Sequence, residues 1–347
     1  MGALRRFRAS RVFHPLVLLG LLLCALALRL YGIDWDQGHF FHPDERFLLQ
    51  FKLPELAPLW PIDWQLFFDP KRSPWNPRWF AYGSFPFYLL KLLYQVATAF
   101  DPAFTLDSAR FLGRGFSAVA DVGTILLVYL LGSKLYSAGT GLLAAAFATF
   151  AVLHIQLSHF ATFDVLLTFF VLLTLYGAAR VVEKADALGG ALVGVGLGLG
   201  IATKISIIPL VVPIATAYFL YLFFPQGPRV SQPVLALARL KGALPSLALT
   251  LGLGLALFVV AQPYVVLDWS SFLRDTREQS EMALRIRDFP YTRQYIDTPP
   301  YLYQIQQLTT WGLGWPLGLV AWLGLGFTLL RGWIRREKGD LLLLSWV

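Results

Sequence analysis

Charge is scarce in this sequence: only 14% of its 347 residues are Asp, Glu, Lys or Arg. With 56% hydrophobic residues, that scarcity excludes an ordinary soluble domain of this length and points to a polytopic membrane protein. Cysteine is nearly missing too. Cys24 is the only one and lies within an apolar run, which excludes a disulfide framework and a cysteine metal site. Low-complexity tracts, short internal repeats and a soluble domain are absent. There is no P-loop and no nucleophile elbow. His39 and His42 are too few for a metal site by themselves. Acidic residues are fewer than basic ones, and the net charge is +8. The basic residues gather at the ends of apolar runs, as in cytoplasmic loops, so the excess implies a bilayer rather than a nucleic-acid partner.

What is present is a series of long apolar segments, at about 12–31, 84–100, 110–132, 140–158, 163–182, 188–203, 206–224, 243–267 and 313–334, with a tenth beginning near 341. Two polar connections interrupt them, about 32–83 and 268–310, the first widening to an outer loop over 32–109 if 84–100 does not cross. The first run follows Arg5, Arg6, Arg8 and Arg11 and is too long for a signal peptide, so it reads as a signal anchor. The apolar end of the chain suggests a fragment cut inside a further span. If every segment crosses, Arg229, Arg239, Lys241, Arg331, Arg335, Arg336 and Lys338 fall outside, against the positive-inside rule. If 84–100 instead lies at the outer interface, they move inside. That segment is short, contains Lys91 and is rich in Phe and Tyr, as interfacial helices are. The N-terminus is then cytoplasmic, and Asp44, Glu45, Asp164 and Lys204 share the outer face.

These residues are where chemistry is expected. Asp44 and Glu45, in His42-Pro43-Asp44-Glu45, are adjacent and point in different directions, so at most one is the reacting base. Both also fit solvated loop acids. Asp164 opens an apolar helix, either as its cap or as a second carboxylate facing the first loop. His159 fits an interfacial histidine as well as a site residue. Lys204 either snorkels to the interface or presents a cation to a lipid phosphate, as Arg46 and Arg114 also would. The glycines from Gly190 to Gly200 have no preceding strand and suit close helix packing. In 268–310 a charged stretch, Arg274 to Asp288, fits a surface helix, followed by Tyr291, Tyr295, Tyr301 and Tyr303 as interface anchors or sugar platforms.

In order along the chain stand His42-Pro43-Asp44-Glu45, Tyr82-Gly83-Ser84-Phe85-Pro86-Phe87-Tyr88-Leu89-Leu90, Arg114-Gly115-Phe116-Ser117-Ala118, Asp164, and Gly198-Leu199-Gly200-Ile201-Ala202-Thr203-Lys204. Over about residues 12–210 this order resembles the polyprenyl-phosphate-dependent glycosyltransferases of the membrane-embedded GT-C type. The nearest pattern is glycosyltransferase family 39, which includes protein O-mannosyltransferases and bacterial aminoarabinose transferases. The resemblance implies an all-α GT-C transmembrane helix bundle, a single module over 1–347, with interfacial helices in the first outer loop. It implies an inverting transfer on the outer face of a bacterial plasma membrane, from a polyprenyl-phosphate-linked sugar to an acceptor protein, lipid or glycan. Asp44 maps to the catalytic base and Asp164 to a supporting carboxylate, with Glu45 beside them. His42, Arg46, Tyr82, Arg114, His159 and Lys204 are the expected substrate-binding residues. No cofactor is expected. Two departures stand out. Aminoarabinose transferases carry Lys-Pro-Pro-Leu where this chain has Gly83-Ser84-Phe85-Pro86, leaving Lys204, Arg46 or Arg114 to meet the phosphate. The Arg usual before the later Asp is replaced by His159. A metal-dependent oligosaccharyltransferase-like enzyme, adding Glu278 or Glu281 to Asp44 and Asp164, is one alternative. A lipid-linked-sugar flippase or transporter is another, although mid-membrane ionisable residues are few, chiefly Asp121.

Overall fold

The chain folds into a bundle of apolar helices, seen here in a computed structural model that describes residues 2–224 and 232–347. The side chains of Arg5, Arg6, Arg8 and Arg11, and all of Arg229, lie outside the described residues. α1 (Gly2–Leu30) leads into the first connection, which carries α2 (Pro43–Arg46), α3 (Leu53–Glu55), α4 (Trp64–Phe67) and α5 (Phe85–Phe100). Then come α6 (Ala109–Leu135), α7 (Ala138–Thr149), α8 (Val152–Ser158), α9 (Phe163–Lys184), α10 (Ala187–Ile201), α11 (Val211–Phe223) and α12 (Gln232–Ala261). The second connection holds α13 (Tyr264–Leu267), α14 (Trp269–Ala283) and α15 (Leu302–Gln307), before α16 (Trp315–Arg335) and α17 (Lys338–Leu344). Among the described residues six helices are long and apolar enough to cross a bilayer, and α7 with α8 makes a seventh if that pair, bent by 58°, is one broken span. Exposed Leu251, Leu255, Leu323 and Phe327 fit a surface turned toward lipid.

α5 is not among those spans. It leaves and rejoins one end of the bundle: Arg110, at the start of α6, pairs with Asp34, just after α1, at 3.1 Å. The first connection therefore returns to the end from which it departed. The glycine-rich helix α10 packs closely, as its composition predicted. A Cβ at Gly190 would stand 2.1 Å from the Ser246 carbonyl oxygen, and one at Gly198 would stand 2.4 Å from that of Gly254. Helix backbones approach this nearly only where side chains are missing.

Two segment boundaries differ from the sequence reading. The segment 140–158 is broken at Phe150–Ala151, where Arg29 donates to the Ala148 and Thr149 carbonyls at the end of α7. Arg29 is fully buried and pairs with Asp121, whose other oxygen lies 2.6 Å from His154 Nδ1. The intramembrane charges are thus matched to one another, binding α1, α6 and α8. The segment 243–267 is likewise divided: α12 ends at Ala261, and Pro263 introduces the short α13.

Candidate active site

The fold turns Asp44 and Glu45 apart. His42 is the N-cap of α2, with Nδ1 accepting the Asp44 N–H at 3.3 Å, and Pro43 pre-sets the first helical residue. Glu45 then points inward and is fully buried. Its carboxylate accepts from Arg114 Nε and Nη2, each at 2.8 Å, and from the Ala161 N–H at 2.9 Å. Arg114 also donates to both Asp36 oxygens and to the Ile33 carbonyl. Its guanidinium has five N–H donors, and these five bonds occupy them. Two sequence expectations are corrected here. Glu45 is not placed as a catalytic group, because it is fully buried against Arg114 and Ala161. Arg114 is not placed as a substrate cation, because no donor remains for a phosphate. Asp36, which the sequence reading did not single out, completes this buried cluster. Burial alone would raise its carboxyl, but the Arg114 bonds and the Gly38 and Phe40 N–H groups outweigh that and hold it below the ordinary range.

Asp44 faces the other way, toward a second group of residues. The backbone of Gly83 and Phe85 pairs with 202–203: Gly83 N–H donates to the Thr203 carbonyl at 2.9 Å and Phe85 N–H to that of Ala202 at 3.1 Å. Only glycine fits here, since a Cβ would stand 1.8 Å from the Ala202 oxygen. This contact sets Tyr82 beside Lys204. The Tyr82 ring packs on Phe163 with centroids 4.4 Å apart, and Lys204 Nζ lies 5.0 Å from the Tyr82 ring centre. Tyr82 O–H donates to Asp44 Oδ2 at 3.0 Å, and Lys204 donates to Asp164 Oδ1 at 2.8 Å. Asp44, Tyr82, Lys204 and Asp164 thus form one continuous group. Burial, then the negative charges of Asp44 and Asp164, push the Tyr82 phenol above its ordinary pKa and keep it a donor. Tyr291, which the sequence marked as an interface anchor or sugar platform, also feels the charge of Asp44. Its phenol is raised by burial and by the charges of Asp44 and Glu278.

The remaining expectations divide. Asp164 is not the cap of α9: Thr162 holds that position, and the carboxylate engages Lys204. Arg46 is exposed and makes no ion pair among the described residues, so it is an available cation. His159 is corrected: its ring nitrogens lie 2.7 and 2.8 Å from the Ile155 and Tyr31 carbonyls, so it ties α8 to the end of α1 instead of facing substrate. His42 uses Nδ1 as the cap and packs at a tilt against Phe160, with ring centroids 4.6 Å apart, keeping Nε2. A divalent metal would need Asp44, Asp164 and Glu278 or Glu281 to converge. Among the described residues no group of three or more His, Cys, Asp or Glu does so, and Asp164 is already matched by Lys204.

A model of the dolichyl-phosphate-mannose-protein mannosyltransferase family matches residues 87–260. The match includes Asp164 and Lys204 and begins after Asp44 and Tyr82, which reach it through the contacts above. Among solved structures, the archaeal oligosaccharyltransferase AglB from Archaeoglobus fulgidus, in complex with an inhibitory peptide and a dolichol-phosphate, is similar at 17% identity with a TM-score of 0.53. That similarity covers 97% of this chain and 47% of AglB. The apo form of the Archaeoglobus fulgidus oligosaccharyltransferase is similar at 16% identity and a TM-score of 0.54, over 96% of this chain and 46% of that one. These likenesses show the fold, a GT-C helix bundle as the sequence implied, and the chain spans about half the length of those structures. No curated protein sequence matches the chain.

Proposed function

The chain belongs to the dolichyl-phosphate-mannose-protein mannosyltransferase family, and from its site we propose that it is an integral membrane glycosyltransferase with Asp44 as base. The donor is a sugar on a polyprenyl phosphate, the transfer inverts the anomeric carbon, and the acceptor is a hydroxyl. One observation carries this reading: Asp44 has one oxygen fixed by Tyr82 and the other without a partner among the described residues, in the same group as a cation-bearing Lys204–Asp164 pair.

The free Asp44 oxygen takes the acceptor proton as the acceptor oxygen attacks the anomeric carbon. The bond from that carbon to the phosphate oxygen breaks on the opposite side, and its electron pair leaves with the phosphate. Lys204 and exposed Arg46 stabilise the negative charge that develops there. Asp164 holds Lys204 in place, and Asp44 then gives its proton to water. Site and donor lie at the outer face, with the N-terminus inside, because that arrangement puts Lys134, Arg180, Lys184, Arg239 and Lys241 on the cytoplasmic side. The membrane is of the bacterial plasma type.

The test is consumption of a panel of polyprenyl-phosphate sugars by purified protein in lipid. Wild type consumes one of them, whether by slow hydrolysis or by transfer, and Asp44→Asn abolishes nearly all of that turnover, a loss of about 10²-fold or more. Normal turnover by Asp44→Asn overturns the assignment. Turnover that disappears with a chelator favours the metal-dependent reading instead.

A further inference from the structure

One short stretch between α8 and α9, residues 160–164, touches each part of the site. The Phe160 ring packs against His42, the cap of the helix that carries Asp44, with centroids 4.6 Å apart. Ala161 N–H donates to Glu45, the residue after Asp44, at 2.9 Å. Phe163 supports the Tyr82 ring at 4.4 Å, and Asp164 accepts from Lys204 at 2.8 Å. The first two contacts hold the base; the last two hold its hydrogen-bond donor and the cation.

The two halves of this stretch are anchored differently. Phe163 and Asp164 belong to α9, whose Val165, Leu166 and Phe170 lie in the main apolar core. Phe160 and Ala161 follow α8, a helix of seven residues with one buried residue, Ser158. Apolar burial therefore holds α8 weakly, and polar contacts hold it instead. At its far end His159 Nε2 lies 2.8 Å from the Tyr31 carbonyl. At its near end His154 Nδ1 lies 2.6 Å from Asp121 Oδ1, and Asp121 is itself buried and paired with fully buried Arg29. Arg29 also binds the carbonyls that end α7. One guanidinium thus fixes the break between α7 and α8, and one carboxylate fixes the direction in which α8 leaves it. A buried pair of this kind admits few other arrangements, since each alternative strands a charge. His154 and Phe160 are six residues apart, about 9 Å along a helix. Over that length a tilt of about 6° moves Phe160 by about 1 Å.

We propose that His154 is a positioning residue for the transfer: its contact with Asp121 fixes the tilt of α8, and α8 places Asp44 against Lys204 through Phe160 on His42 and Ala161 on Glu45. This inference rests on the transferase reading given above.

The test uses the full chain in lipid nanodiscs and the polyprenyl-phosphate sugar that wild type consumes, with rates counted per folded molecule. His154→Ala removes the contact and leaves the Arg29–Asp121 pair intact. Its kcat is expected to fall about tenfold or more, while the donor KM stays within about twofold, because Asp164 and Lys204 keep their places. His154→Asn, which presents an amide N–H where Nδ1 stands, restores most of the rate. Phe160→Leu breaks the other end of the same path and gives the same loss in kcat. The double variant is then no slower than the slower single one, since both act on one placement of Asp44. A contribution to stability alone would lower the unfolding temperature of His154→Ala with kcat unchanged, and that result overturns the proposal. So do a His154→Asn enzyme as slow as His154→Ala, a loss confined to KM, and losses that multiply in the double variant. If His154→Ala yields no folded protein, Phe160→Leu decides: wild-type kcat overturns the proposal, and a tenfold loss with KM kept supports it. Asp44→Asn runs alongside. Turnover lost in Asp44→Asn but normal in His154→Ala defeats the positioning role alone, whereas turnover that survives Asp44→Asn defeats the transferase reading itself.

Discussion

Two neighbouring carboxylates, Asp44 and Glu45, receive opposite fates from a single helical turn. Glu45 is buried against Arg114, and Asp44 keeps one oxygen free. The adjacency was legible in the sequence; which of the two faced inward was not, because that depends on Arg114, 69 residues further along the chain. Breaking one side of a buried charge cluster leaves the other uncompensated. Arg114→Ala is therefore expected to destabilise the protein by about 3–5 kcal/mol and to lower its thermal unfolding temperature in detergent; an unchanged unfolding temperature would show that the cluster contributes nothing. Tyr82→Phe tests the other carboxylate. It removes one hydrogen bond to a charged group while keeping the ring on Phe163, and turnover is expected to fall about 10- to 100-fold, with donor binding retained. Asp36 predicts a pH dependence. Its folded pKa is lowered, so its stabilisation is present above its unfolded value and is lost as pH falls through the folded one. Wild type should lose stability below about pH 4 by a margin that Asp36→Asn does not show, measured as unfolding temperature against pH.

At the scale of elements, the long apolar helices were legible because length and apolar composition are local properties. The joints between them were not. The contact that sets Tyr82 against Lys204 is made by backbone groups of Gly83, Phe85, Ala202 and Thr203, which carry no side-chain signature. Likewise, α14 was readable as a surface helix, while burial of Asp275 against the Phe80 N–H followed only from the fold. Gly83→Ala probes this scale directly. The added Cβ cannot coexist with the Ala202 oxygen, so residues 82–85 must move away from 202–204. Misplacing a catalytic constellation by about 1 Å can cost on the order of 10²-fold in rate. A comparable loss of Asp44-dependent turnover is expected, with helix content by circular dichroism unchanged. Retained turnover would mean that this backbone pairing does not position the site.

Across the whole molecule, the two ends of the bundle have different characters. Asp44, Tyr82, Asp164 and Lys204 gather where α9 begins. At the other end of α6 and α9, Lys134 pairs with Glu183, Tyr136 donates to Asp340, and Arg331 approaches the same carboxylate. α6 has 27 residues and so separates these ends by about 40 Å, more than a bilayer core. The topology proposed above, from the charge bias, assigns the second end to the cytoplasm and the group around Asp44 to the outer face. Cys24 is the only cysteine, so a Cys24→Ser background accepts single reporters. Ile286→Cys, exposed in the second connection, should react with a membrane-impermeant maleimide on intact cells, whereas Glu337→Cys, beyond α16, should react only after permeabilisation. The reverse pattern would turn the site to the cytoplasm and require a donor presented from the inner leaflet. Labelling of both on intact cells would mean that α16 does not cross, and that its basic end cannot serve as evidence for orientation.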